Sequence, residues 1–107
     1  MRILLEYADQ NDRFAAVLPR AGTVERGVTS RDGSKWVVFR LDLPVGFEGQ
    51  VYHRFLLKSR WIGYEITDPR PTSVFILLVG DSQDVREGFE VGQFEHIAWG
   101  MVNQLGQ

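Results

Sequence analysis

The sequence predicts a mainly β domain, an antiparallel sheet or small barrel of about six to seven strands with one helix near the C-terminus. Three observations carry this expectation. Residues 35–43 and 51–58 alternate apolar and polar side chains with the period of two that marks a half-buried strand. Asp32-Gly33 stands just ahead of the first of these, where a tight hairpin turn needs positive φ. The run from Val74 to Val79 is wholly apolar, as in a strand covered on both faces.

In chain order, Ile3, Leu5 and Tyr7 alternate with Arg2, Leu4 and Glu6 in a first strand that ends at the polar cluster Asp9-Gln10-Asn11-Asp12. Residues 13–18 are stopped by Pro19 and are short enough to fit either a helical turn or a strand. Residues 22–31 and 34–43 form a hairpin. A two-residue turn at Asp32-Gly33 would set Thr29 opposite Trp36, Gly27 opposite Val38 and Glu25 opposite Arg40. The loop from Pro44 to Gln50 carries Phe47, an aromatic expected to pack back on the core. Pairing the apolar faces of the two alternating strands then sets Arg40 beside Arg54 and Trp36 beside Lys58. Val51, His53, Phe55 and Leu57 turn to the core.

Ile62, Tyr64 and Ile66 alternate in a further strand that Gly63 interrupts as a bulge, and 67–72, with two prolines, is a stiff turn. Gly80-Asp81-Ser82 reads as the entry to a short helix that Gly88 stops. Phe94, Ile97, Ala98, Met101, Val102 and Leu105 fall at helical spacing and predict a helix across one face, a strand beside 74–79 being the alternative.

A length of 107 residues suits one domain spanning 1–107. With a net charge of −2 and a pI near 5.6, the chain lacks the overall basic excess of a phosphate-backbone binder, so any nucleic-acid role needs a local patch. Cysteine is absent, which excludes disulfides and thiolate chemistry and is compatible with a reducing compartment; the default expectation is cytoplasmic. Ile3-Leu4-Leu5 is too short for a signal peptide and Val74–Val79 far too short to span a bilayer, so no membrane segment is expected.

The residue patterns for catalysis are sparse. His53 and His96 are the only histidines, and no spacing suits zinc. The carboxylates after residue 80 fail the calcium-loop pattern because Val85 occupies a ligand position, and helix capping accounts for Asp81, Ser82 and Asp84. No nucleophile elbow or phosphate-binding loop occurs, so neither a cofactor nor a metal is expected. What remains is a basic-aromatic sheet face built from Trp36, Arg40, Tyr52, Arg54, Lys58, Arg60 and Trp61.

Interleaved rings and cations suit stacking on single-stranded nucleic acid. They suit equally an acidic protein partner or a homodimer, and they also occur as plain cross-strand ladders on a solvated face. Val38 and Leu56 point outward with Trp36, making a patch apolar enough to need a cover, either the chain's own C-terminal segment or another molecule. The sequence therefore predicts a non-catalytic binding module. The alternative is a small enzyme or ligand binder with a pocket near His53, Tyr64 and Glu65.

Overall fold

The structure, a computed structural model, describes residues 1–60 and 71–105. Six strands, β1 (Arg2–Asp9), β2 (Arg20–Thr29), β3 (Lys35–Phe47), β4 (Gln50–Ser59), β5 (Thr72–Val79) and β6 (Glu95–Gln104), pair antiparallel in sequence order. β6 returns to β1 and closes a barrel. Closure gives each of these six strands a hydrogen-bonded neighbour on both sides over part of its length. Residues 13–18 resolve in favour of a helical turn: α1 (Asp12–Ala15) is capped by Asn11, whose side chain accepts from the Phe14 amide at 3.0 Å. It drives Phe14 into the barrel against Phe47 and Phe55, with ring centroids 5.4 and 5.5 Å away. Phe47 is the core anchor expected of it, but it is not in a loop: β3 runs on through residues 44–47 and pairs with β4, and the turn is only Glu48-Gly49, both at positive φ. Ile3, Leu5, Phe39, Ile76 and Leu78 fill the rest of the interior, as side chains do in small barrels.

The C-terminal helix is not formed. Residues 95–104 are β6, hydrogen-bonded on both sides, because without them β1 and β5 would each present a row of unpaired donors and acceptors. The helix-like spacing of its apolar residues comes from a bulge. The register with β5 shifts between Ile76 and Leu77, which breaks the strict alternation that would have announced a strand. Gly100, the apparent interruption of a helix, lies at a close approach within the barrel wall: a Cβ there would stand 2.7 Å from the Tyr7 carbonyl oxygen. Nor do residues 81–88 form a helix. They belong to a strap, residues 80–94, that crosses the outside of the barrel and ends in a 3₁₀ turn at Val91–Gln93.

The strap builds a second core. Val85, Phe89 and Phe94 pack on Val28, Trp36, Val38, Leu56, Leu77 and Val79 from the outer face. The apolar patch expected to need a cover has one, supplied by the chain itself between β5 and β6. Polar contacts fasten its length. The Arg26 guanidinium donates to the Val85 carbonyl at 2.6 Å, Arg54 donates to the Gln83 carbonyl at 2.9 Å, and the Gly88 amide donates to the Thr29 carbonyl at 2.8 Å.

The β2–β3 turn differs by one residue from the two-residue form. Ser30 N–H donates to the Ser34 carbonyl at 2.9 Å, so the loop is Arg31-Asp32-Gly33 with Gly33 at φ 87°. This is the three-residue hairpin with a left-handed last position. The Asp32 carboxylate selects it by accepting from the Ser34 amide at 3.0 Å and from the Ser30 hydroxyl. Val28 therefore pairs with Trp36, and Gly27 with Val37. A bulge between Val24 and Arg26 still brings Glu25 to 3.9 Å from Arg40. On the other side the expected pairing holds: Arg40 lies opposite Arg54 and Phe39 opposite Phe55.

These donors hold the Asp32 carboxyl at about 2, below its usual 3.8, the Ser30 hydroxyl being the largest cause. A lowered folded-state pKa stabilises above the unfolded value and loses that contribution as pH falls through the folded one. The melting temperature of the wild-type chain should therefore exceed that of Asp32→Ala above about pH 4, and the gap should close as pH falls toward 2. Thermal melts of both proteins across that range measure it.

A candidate interaction surface on the outer barrel wall

The predicted basic-aromatic face is divided by the strap. Trp36 is sealed beneath it, 4% exposed, with its ring against Phe89. Arg54 is occupied in holding the strap at the Gln83 carbonyl, and Arg40 stands exposed beside Glu25. Tyr52 points the other way, into the barrel core, where burial first and then Glu95 and Glu48 raise its phenol pKa; its hydroxyl donates to Gln50 Oε1 at 3.2 Å. Trp61 lies outside the described residues.

The inversion at Tyr52 has a definite origin. Between Arg40 and Val45 the β3–β4 register shifts, so parity changes side, and Leu43 and Val51 emerge into solvent. His53, expected among the core residues, is turned outward by the same irregularity. Its side chain is 53% exposed, and Nδ1 lies 2.8 Å from Asp81 Oδ1. Of the alternative pocket's three residues, Tyr64 and Glu65 lie outside the described ones and His53 points away from the barrel interior. Among the described residues, no three His, Asp or Glu side chains gather as a metal site would need.

Lys58 and Arg60 lead to a surface that the sequence pattern did not assemble. Two rows of outward residues cross β4, β5, β6 and β1. One is Lys58, Phe75, Trp99, Asp9; the other is Arg60, Ser73, Met101, Tyr7. The Lys58 ammonium lies 5.8 Å from the Trp36 ring centroid and 5.4 Å from that of Phe75, so it spans the boundary between the strap core and this shelf. Trp99 rests against Phe75, and the Arg60 guanidinium lies over Trp99 at 4.5 Å from the ring centroid. His96 meets the edge of the Phe75 ring at 5.9 Å. Phe75, Trp99 and Met101 are half-buried, while Tyr7 is 47% exposed.

Phe75 escaped the sequence reading because an unbroken apolar run reads as buried on both faces. In this barrel the strap covers only the Leu77–Val79 end of β5, which leaves Phe75 at its margin. Trp99 escaped because it falls off the apolar face of the expected helix. In β6 it stands directly opposite Phe75.

The fold and surface define a closed six-stranded meander barrel with a filled interior and an aromatic-cationic shelf outside. No protein-family model matches the chain, and neither the curated proteins nor the solved structures hold a significantly similar one. Among the described residues no helix is long and apolar enough to cross a membrane.

Proposed function

We propose that the chain is a non-catalytic interaction module that binds a protein surface through the shelf. The observation that carries this reading is the Arg60–Trp99–Phe75 stack, a cation lying over one ring that rests on a second, on the outer wall of the barrel. Cation–π contact pre-orders the long arginine side chain, which reduces the entropy lost when a partner is bound. Tryptophan, tyrosine and arginine are also the residues that dominate protein–protein hot spots. Charge argues for protein over nucleic acid. Lys58 on β4 and Arg60 just after it are balanced across the shelf by Asp9 and the nearby Glu6 on β1, and the chain as a whole is acidic.

Trp99→Ala tests the reading, since a half-buried outer residue can be removed without emptying the barrel. The melting temperature should fall by only a few degrees, while peptides selected on the wild-type chain from a displayed library should lose at least about tenfold in affinity. An oligothymidylate titrated into the same protein should not bind. Oligonucleotide binding that Trp99→Ala abolishes would replace the protein reading with a nucleic-acid one. Selected peptides that bind Trp99→Ala unchanged would move the site elsewhere.

A further inference from the structure

Resting on that reading, we infer that the protein the shelf fits is a second copy of this chain, in a two-fold dimer whose axis runs along the strands. The two rows are self-complementary. Each begins with a cation on or just past the end of β4, Lys58 or Arg60, and ends on β1 with a hydrogen-bond or charge acceptor, Asp9 or the Tyr7 hydroxyl. The centre is apolar apart from Ser73, with Phe75, Trp99 and Met101 on β5 and β6. Symmetric oligomers use one patch on both subunits, so the patch must match itself after rotation.

A two-fold axis lying in the contact plane, parallel to the strands and between β5 and β6, does this. It carries β4 of one copy over β1 of the other and leaves each row facing its own counterpart. Lys58 then meets Asp9 of the second copy, Arg60 meets Tyr7 of the second copy, and Phe75 meets Trp99 of the second copy, each contact occurring twice. Facing sheets pack about 10 Å apart. Rings fill that gap at the centre, and the long lysine and arginine side chains span it where the convex walls draw apart. An acidic peptide or a nucleic acid strand would satisfy the β4 edge and be repelled by Asp9 and Glu6 at the other; a second copy satisfies both.

The two charges of the Lys58–Asp9 edge pair belong to different copies, which makes the test specific. Within one chain Lys58 and Asp9 are separated by three strand spacings, about 14 Å, too far for mutual compensation across screened solvent. Sedimentation equilibrium over a range of protein concentration should show a reversible dimer for the wild-type chain. Lys58→Glu and Asp9→Lys should each weaken it by about tenfold or more, and the double variant should restore association to within a few-fold of wild type.

Association that ignores either single substitution, or a double variant no better than the two losses combined, would overturn the dimer proposed here. So would a wild-type chain that is monomeric at every concentration. A monomer that still yields Trp99-dependent peptides would overturn the dimer alone and leave the interaction module standing. A monomer from which no such peptide can be selected would overturn both.

Discussion

Truncation of Phe55 to alanine is expected to cost about 3–5 kcal/mol, the range for a large aromatic removed from a packed interior. Phe55 is fully buried on β4, and its ring stands between Phe14, 5.5 Å away, and Phe39, 6.2 Å away. The three rings come from three separated parts of the chain, α1, β3 and β4, so the cavity would open where α1 packs into the barrel interior. The wall cannot close over it, because β4 is held at Phe55 by pairing with β3 on one side and β5 on the other. For a domain of about this size each kcal/mol moves the melting temperature by roughly 4–8 °C, so a fall of more than about 12 °C should follow. Urea unfolding measures the free energy directly, and a loss below about 1 kcal/mol would show that the interior is not packed as described.

The second large effect comes from adding one carbon. Gly22 lies on β2 opposite Leu41, and a Cβ built there would stand 2.2 Å from the Arg40 carbonyl oxygen and 2.6 Å from Phe39 Cε1. The first of these is backbone inside a paired strand, and the second is a core ring, so neither can move aside cheaply. Overpacking of this kind typically costs 1–3 kcal/mol and more when backbone must shift; Gly22→Ala is expected at about 3 kcal/mol or beyond. Gly46→Ala is the matched control. It is also a glycine in a strand, without a positive φ, and nothing lies within 4 Å of its added carbon. Its effect should stay within about 0.5 kcal/mol, and chemical denaturation of the two variants side by side separates steric conflict from the loss of glycine itself.

What could be read from the sequence follows the regularity of the strands. Residues 36–40 and 54–58 alternate without interruption, and there the expected pairing, with Arg40 opposite Arg54 and Lys58 over Trp36, is the observed one. Each departure sits at an irregularity that periodicity cannot see. The extra residues after Arg40 turned Tyr52 inward and His53 outward, and the bulge in β6 made a strand look like a helix. Asp32 converted a two-residue turn into a three-residue one through hydrogen bonds of its side chain. The candidate surface was legible only at one margin. Lys58 and Arg60 were in the predicted face, but Phe75 and Trp99 are 24 residues apart in the chain and meet only because β5 pairs with β6. That Trp36 needs a cover is legible from Val38 and Leu56 beside it; which segment covers it is not, because the cover depends on three apolar residues spread through a loop that follows no periodic pattern.

The return of β6 to β1 governs the order in which this molecule can acquire its shape. Every other strand pair joins neighbours in sequence and can form while the chain is still lengthening. The seam between residues 3–9 and 99–104 cannot, since it brings together segments separated by nearly the whole chain and must overcome the entropy of closing that loop. On the ribosome, β1 and β5 therefore wait as exposed edges until the final strand has emerged, the interval in which pairing with another chain is the main hazard. The strap, residues 80–94, emerges just before that strand and can already lie across the outside of β2 to β5. The second core is thus available to steady the open sheet while its last member is still being made.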